Sequence, residues 1–285
     1  MLVGPTIRRR RLGTDLRRLR EAMSLKLEDV AGHIGVAPST LSRIETGKAP
    51  TRTSYLSIML DLYGVTDPVQ RRALADLALE GQRRGWWTDY DELLPAGADT
   101  YLGLEAEASV LRAFGTQVVH DLLQTEDYAR SVIAASRPDL TAEQADRLLA
   151  VHLRRQEVVR GSDPIQLRLV LDESVLLRSV GSPEVMRDQL EHLIEAGSHP
   201  TVVIQVLPLA STRRQVLAGT FGILSFDHPG DGDVACSEGI RGQVLIEERD
   251  TEIRALRLAF DALSLSALSP AASASLMRDV AEGSS

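Results

Sequence analysis

Residues 38–46 read Pro-Ser-Thr-Leu-Ser-Arg-Ile-Glu-Thr and combine short hydroxyl side chains with one guanidinium group. The apolar residues of this segment recur at helical spacing, which leaves Ser39, Ser42 and Arg43 on the opposite face. Hydroxyl and guanidinium groups hydrogen-bond the edges of nucleic-acid bases, and arginine contacts O6 and N7 of guanine together. We therefore predict that these three side chains read bases in the major groove.

Further cations and hydroxyl groups surround this segment. Contacts to phosphate hold a protein in register on a duplex but carry no sequence information. The residues predicted to make such contacts are Lys26, Thr40, Lys48 and Arg52. Glu45 would be repelled by phosphate, so we predict that its carboxylate pairs with an arginine of the first helix instead.

Four consecutive arginines, Arg8, Arg9, Arg10 and Arg11, lie close to the start of the chain. A run of cations can form an arm that reaches a groove or the phosphates of a duplex. A solvated basic tail is the other interpretation, and the sequence does not decide between the two.

The periodicity of residues 10–80 predicts five consecutive short helices. Gly35 is placed to end the second helix in the left-handed conformation, and Pro38 is placed to open the third. Asp67 and Pro68 start the fifth helix. The apolar residues expected to face the core are Leu12, Leu16, Leu19, Met23, Leu27, Val30, Ala31, Ile34, Leu41, Ile44, Tyr55, Leu56, Met59, Leu60, Leu74, Leu77 and Ala78.

Charge is divided unevenly along the chain. Residues 1–84 carry a net charge of +6 and residues 85–285 a net charge of −14, within a total of −8. A basic segment followed by an acidic one is typical of a protein in which only the first part meets a polyanion.

The first part of the chain resembles the XRE (Cro and λ-repressor-like) helix-turn-helix domain. The matching residues are Val30-Ala31, Gly35-Val36, Ser39-Thr40-Leu41-Ser42-Arg43-Ile44-Glu45 and Gly47-Lys48. The resemblance implies a five-helix domain that binds DNA operators as a dimer. Two positions depart from the family pattern: Lys26-Leu27 replaces a Thr-Gln pair, and Ala37 replaces a serine cap, at a cost of about 1 kcal/mol.

The rest of the chain mixes helical and strand patterns. The expected fold is therefore multi-domain, with an all-α helix-turn-helix domain over 1–80, a docked linker over 81–100 and an α+β domain over 101–285 that regulates, dimerises or binds a partner. Trp86 and Trp87 are expected to dock the linker, because indole rings are costly to leave in water. Predicted helices cover 104–114, 126–135, 141–160, 183–196 and 249–263, and predicted strands cover 165–171, 201–207, 220–226 and 243–247.

This second part resembles an uncharacterised domain that follows XRE domains in actinobacterial regulators described as antitoxin-like. The residues that carry the resemblance are Arg84-Gly85-Trp86-Trp87, Leu122-Leu123-Gln124-Thr125-Glu126-Asp127-Tyr128-Ala129-Arg130, Arg154-Arg155-Gln156, Leu171-Asp172-Glu173, Gln205-Val206-Leu207-Pro208 and Gly219-Thr220-Phe221. It implies control of transcription, alongside a small partner protein encoded nearby. It implies no activity and no ligand.

The remaining clusters of polar or reactive residues are predicted to have structural roles. The acidic residues of segment 227–238 are spaced like the ligands of a calcium-binding loop. Pro229 offers no side-chain oxygen at the third position, so a hairpin is predicted there instead. Cys236 is expected to be a buried strand residue, and Asp172-Glu173 to start a helix. We predict an exposed charged face for Arg154-Arg155-Gln156, with a face toward a ligand or partner as the alternative. We expect no metal, no cofactor and no enzyme activity, since the sequence shows no recognisable catalytic set.

A cytoplasmic transcription regulator is the function that these patterns predict. The lone cysteine fits a reducing compartment, and no apolar run is long enough to cross a membrane, so no membrane partner is expected. The expected partners are a double-stranded DNA operator, a second copy of the chain, and a small-molecule effector or small protein as signal. The alternative is an antitoxin-like protein-binding module whose DNA contact serves autoregulation. The third hypothesis is an enzyme acting on a small metabolite, with the first domain as its regulator.

Overall fold

The structure of the chain, a computed structural model, describes residues 5–82, 85–211, 219–228, 231–238 and 244–283. The chain divides into two compact units. The first runs to Thr88 and includes Leu102–Glu107 and His228–Asp231. The second contains most of the remaining residues, beginning at Asp89.

Five α-helices occupy residues 5–82, as predicted, in the helical region where the helix-turn-helix was expected. Their side chains enclose one apolar core that includes Leu16, Val30, Leu41 and Met59, each of them fully buried. The helices are α1 (Pro5–Ala22), α2 (Leu27–Ile34), α3 (Pro38–Glu45), α4 (Thr53–Leu62) and α5 (Pro68–Gly81).

Met23 departs from the predicted core of this unit. Helix α1 ends at Ala22, and the Met23 side chain is 50% exposed. Met23 belongs to the turn that follows the helix, in which Ser24 has a positive φ of 53°, so the fourth apolar position lies outside the helical stripe. The α1 stripe therefore ends at Leu19, which packs against the core.

A six-stranded mixed sheet forms the framework of the second unit, in agreement with the predicted mixed sheet with helices. Its spatial order is β3-β2-β1-β4-β5-β6. Strands β1, β2 and β3 are parallel, with Leu111 opposite Leu167 and Leu167 opposite Val202, while the other neighbouring pairs are antiparallel. The strands are β1 (Val110–Gly115), β2 (Gln166–Asp172), β3 (Val202–Leu207), β4 (Phe221–Ser225), β5 (Val234–Glu238) and β6 (Val244–Glu247).

Helices connect and cover these strands. Their bounds are α6 (Ala98–Glu105), α7 (Glu126–Ser136), α8 (Ala142–Arg155), α9 (Glu157–Arg160), α10 (Ser174–Leu177), α11 (Pro183–Ala196), α12 (Asp250–Ser266) and α13 (Pro270–Gly283). Thr125 caps α7 by accepting a hydrogen bond from the Tyr128 amide, as its position before an acidic first turn predicts. None of the helices in the described part of the chain is both long and apolar enough to cross a bilayer.

Several segments differ from the predicted elements. The helix predicted over 104–114 is wrong, because its second half is strand β1, paired with β2 on one side and β4 on the other. A short apolar run fits a buried strand and a buried helix equally well, so periodicity could not decide. Residues 264–275, for which no element was predicted, include the end of α12 and the start of α13.

The predicted hairpin at residues 227–238 is confirmed where the structure describes it. Strands β4 and β5 are antiparallel, with Gly222 opposite Cys236. Cys236 is 9% exposed and its thiol donates to the Gly222 carbonyl, as expected for a strand residue. Within the described residues, no group of His, Cys, Asp or Glu side chains is arranged to hold a metal ion. Pro229 itself lies outside the described residues.

Three buried glutamines hold the turn before α7. The Gln156 side-chain amide donates to the carbonyls of Asp121 and Gln124, and the Gln189 amide donates to that of Leu123. The Gln124 amide donates to the Val119 carbonyl. The exposed charged face predicted for Arg154-Arg155-Gln156 is therefore corrected, because Gln156 is 1% exposed and satisfies buried backbone carbonyls.

Candidate nucleic-acid interface

The turn between α2 and α3 has the geometry of a tight helix-turn-helix. Gly35 adopts a left-handed φ of 71°, and its amide donates to the carbonyls of Ala31 and Gly32. A residue with a Cβ is strained at this φ, so glycine suits the end of α2. Pro38 occupies the first turn of α3, and Ala37 precedes it without a side-chain cap, as the sequence predicted.

The orientation predicted for α3 is confirmed. Leu41 and Ile44 are almost fully buried, at 0% and 1% exposure, and they pack in the core of the first unit. Ser39, Ser42 and Arg43 are exposed. In the described part of the chain, no hydrogen bond or ion pair involves the Arg43 guanidinium. Its five N–H donors are therefore available to a ligand.

Glu45 forms a buried ion pair with Arg20 of α1, which confirms the predicted pairing with a first-helix arginine. Arg20 Nε lies 2.7 Å from Glu45 Oε1, and Arg20 Nη2 lies 2.9 Å from Oε2. Arg20 and Glu45 are 8% and 6% exposed, and the hydrogen bond to Glu45 raises the pKa of the guanidinium. Arg20 Nη1 also donates to the Leu25 carbonyl. One arginine thus connects α1, the turn before α2 and the end of α3.

This pairing changes the charge of the α3 surface. Glu45 is the one acidic residue of α3, and its side chain is turned into the protein. Burial and the nearby Glu45 carboxylate raise the pKa of Tyr63 to about 12, so the phenol adjacent to the pair stays neutral. The outward face of α3 consequently carries hydroxyl groups and one positive charge, and no carboxylate.

Backbone contacts fix the depth at which α3 sits against α1. A Cβ added to Gly13 would lie 2.5 Å from the Glu45 carbonyl oxygen and 2.6 Å from that of Ile44. At Gly47, where φ is 69°, a Cβ would lie 2.8 Å from the Arg10 backbone. The sequence reasoning missed Gly13, although an isolated glycine inside a helical pattern is a signal of close approach.

The residues predicted to contact phosphate lie at helix ends or on α3. Lys26 and Arg52 are the exposed residues that precede α2 and α4, and Lys48 is exposed two residues after Thr46, which caps the C-terminus of α3. Thr40 is half-buried in the first turn of α3. The Arg52 guanidinium lies 5.5 Å from the centre of the Tyr55 ring. Amide groups at helix N-termini attract anions, so Arg52 adds charge where the backbone of α4 already favours phosphate. At α2 the exposed carboxylates of Glu28 and Asp29 in the first turn oppose the charge of Lys26.

The arm predicted from Arg8, Arg9, Arg10 and Arg11 is wrong, and so is the solvated tail. All four residues belong to helix α1 and are only partly exposed. Arg8 forms an ion pair with Glu80, and Arg9 Nε donates to the Gly81 carbonyl at 2.6 Å, so both hold the end of α5. Arg11 Nε lies 2.6 Å from Asp231 Oδ2. Carboxylate and carbonyl partners inside the first unit thus hold Arg8, Arg9 and Arg11 against the protein.

Comparison with known protein families agrees with this architecture. Residues 11–74 match a family model described as a helix-turn-helix domain. Residues 98–279, more than half of the chain, match a domain of unknown function, DUF5753. Searches of the curated proteins and of the solved structures found no match.

Proposed function

Since the chain belongs to the DUF5753 family and carries a helix-turn-helix domain in front of that family's domain, we propose that it is a sequence-specific, XRE-type transcription regulator of the antitoxin-like actinobacterial group. The helix-turn-helix domain itself suggests DNA binding. The proposal adds which residues read the operator, how many copies bind it and what the second domain does.

The acid-free outward face of α3 is the observation that carries this proposal. An α-helix fits the major groove, where phosphates line both sides and would repel an exposed carboxylate. Helix α3 meets this requirement because Arg20 holds Glu45 inside the protein. The same ion pair also joins α1 to the end of α3, so one interaction both connects the helices and keeps the carboxylate away from the outward face.

Ser39, Ser42 and Arg43 are proposed to read base edges, and Lys26, Thr40, Lys48 and Arg52 to hold phosphates. One such domain makes few base contacts, so two copies are proposed to occupy half-sites one helical turn, roughly 34 Å, apart. The DUF5753 domain is proposed to join the two copies and to receive the signal, a small-molecule effector or a small protein encoded nearby. In this proposal it catalyses no reaction.

Selection of bound sites from random duplexes tests the assignment. We expect the native chain to enrich a two-fold symmetric site. Arg43→Ala should relax the base preference at one position of each half-site, a loss of about 1–3 kcal/mol of discrimination. Lys48→Ala should weaken binding to all sequences alike and reduce the slope of affinity against salt by about one.

Arg72→Ala is the matched control, because Arg72 is an exposed arginine on α5 outside the proposed contact set. It should leave both the base preference and the salt slope as in the native chain. Failure of the native chain to enrich any duplex would refute the regulator proposal. An unchanged preference in Arg43→Ala would refute the role given to that side chain alone.

A further inference from the structure

Helix α12 has apolar residues on two opposite faces. Its inner face packs on the sheet through Ile253, Phe260 and Leu263, which are all buried. On its outer face Leu258 is 66% exposed and Leu265 is 85% exposed. A surface helix with one apolar stripe needs no further partner, whereas a second stripe indicates a surface that another molecule covers.

The outer residues follow the spacing of a helix–helix seam. Thr251, Ala255, Leu258, Ala262 and Leu265 recur at intervals of four, three, four and three residues, and all but the half-buried Ala262 are exposed. This is the heptad spacing of a coiled-coil seam, with small and large residues in alternation. Leucines facing alanines allow two such helices to approach closely. We name these five residues the outer stripe.

Charged residues beside the outer stripe are self-complementary. Arg254 and Asp261 are exposed, lie one heptad apart and occupy the same flank of the stripe. Neither forms an ion pair with another described residue, although Asp261 interacts electrostatically with Arg112. Two antiparallel copies of α12 would place Arg254 beside the partner's Asp261, and the symmetry would repeat the pair. A parallel arrangement would bring these residues next to uncharged positions.

We propose that the outer stripe of α12 is the dimer interface of this chain and that two copies of α12 pack antiparallel across a two-fold axis. In this register Ala255 lies opposite the partner's Leu258 and Ala262 lies opposite the partner's Thr251, while Leu265 extends beyond the start of the partner's helix, which begins at Asp250. A shift by one heptad would bring two Asp261 carboxylates together, so the charges select the register. The inference rests on the proposed function in one respect, since reading two half-sites requires a two-fold symmetric dimer.

The size of the helix predicts a dissociable dimer. Seventeen residues make a helix about 25 Å long, and one pair of such helices buries less than about 1,200 Å². Interfaces of this size belong to transient complexes, so we expect a dissociation constant on the order of micromolar. Binding to two adjacent half-sites would then favour the dimer by mass action.

Sedimentation equilibrium of the full chain over a range of concentrations tests the interface. We expect a reversible monomer–dimer equilibrium in the native chain. Leu258→Asp should raise the dissociation constant at least about tenfold, because a carboxylate would be buried at the centre of the seam. Leu177→Asp is the control: Leu177 is 57% exposed on α10, away from the outer stripe, and its substitution should leave the equilibrium unchanged.

Charge reversal tests the antiparallel register. Arg254→Asp and Asp261→Arg should each weaken the dimer, because each sets like charges beside one another. The double variant R254D/D261R should recover most of the native affinity, since both pairs form again with opposite polarity. A native chain that stays monomeric at all concentrations would overturn the interface, as would a Leu258→Asp variant that dimerises as well as the control. Single reversals without effect would overturn the antiparallel register.

DNA binding separates this inference from the regulator proposal. Leu258→Asp should still bind a duplex that carries one half-site of the selected sequence, and it should lose affinity only for the complete site. A chain that dimerises through α12 but selects no duplex would refute the regulator proposal and leave the interface standing. A chain that binds the complete site while Leu258→Asp dimerises normally would refute the interface and leave the regulator standing.

Discussion

The buried pair of Arg20 and Glu45 combines a structural role with a role in the surface charge of α3. Removing Arg20 leaves the Glu45 carboxylate without its ion-pair partner in a site that is less than one tenth exposed, and removing Glu45 leaves Arg20 with only the exposed Glu21 carboxylate, 3.7 Å away. Such uncompensated burial costs several times more than the loss of an exposed ion pair. The pair therefore couples the stability of the first unit to the acid-free face that the proposed DNA contact needs.

Glu45→Gln is predicted to lower the free energy of unfolding of the first unit by about 3–5 kcal/mol, because Arg20 would remain buried with only the exposed Glu21 carboxylate, 3.7 Å away, as counter-charge. Denaturant unfolding monitored by circular dichroism measures this change. Asp15→Asn is the control, since Asp15 forms an ion pair with Arg18 on the surface of α1, and we expect almost no effect from it. Equal losses in the two variants would contradict the assignment. The double variant R20M/E45M should be more stable than Glu45→Gln, because no unpaired charge remains.

Helix α1 carries a glycine where most helices would favour alanine, and the reason lies in its packing against α3. The backbone of α1 touches the last carbonyl groups of α3 at Gly13, so this contact sets how far α3 projects from the core. At this position helix propensity favours alanine, whereas packing against α3 favours glycine. The direction in which a substitution changes the stability of the first unit shows which effect is larger.

Gly13→Ala is predicted to destabilise the first unit by about 1–3 kcal/mol, even though alanine is the better helix former by about 1 kcal/mol. The matched control is Gly32→Ala in α2, where an added Cβ would meet nothing within 4 Å. That change should stabilise the unit by up to about 1 kcal/mol. Thermal unfolding of the two variants should therefore shift in opposite directions. A stabilising Gly13→Ala would show that the contact between α1 and α3 is looser than described.

Electrostatic interactions in the first unit join residues that are far apart in the chain. Arg8 Nε lies 3.4 Å from Glu107 Oε1, across 99 residues of sequence, and the Glu107 side chain is only 10% exposed. Burial raises the pKa of Glu107 to about 7, against the opposing influence of Arg8 and Arg11. Asp231 raises it further. The Glu107 carboxyl group therefore titrates close to neutral pH.

A raised pKa in the folded state makes stability fall as pH rises. The contribution of Glu107 is fully present below its ordinary pKa of 4.5 and is lost as pH rises through about 7. The loss is about 1.4 kcal/mol for each unit by which the pKa is raised, so at most about 3.5 kcal/mol. Glu107→Gln should remove this dependence. Unfolding free energies of the native chain and the variant should agree more closely at about pH 5 than at about pH 8, where the variant is the more stable. A difference that does not change with pH would contradict the prediction.

Most features of the helix-turn-helix that could be predicted depend on residues close together in the sequence. Gly35 and Pro38 act within one helical turn of their own positions, and the buried pattern of Leu41 and Ile44 follows from helical spacing alone. The exposure of Ser39, Ser42 and Arg43 could be inferred for the same reason. The pairing of Glu45 was predictable as a chemical requirement, although the sequence did not identify Arg20 as its partner.

The amino-acid sequence alone therefore established the helix-turn-helix, the outward face of α3 and a mixed α+β second domain, because each depends on periodicity and on turn residues that act locally. Only the tertiary structure showed that residues 110–115 form a strand, that α1 includes Arg8, Arg9, Arg10 and Arg11, and that Gly13 is a point of contact. A short apolar run or a cluster of cations takes its conformation from partners distant in the chain. The local sequence does not identify the distant residues that pair with such a strand or with such cations.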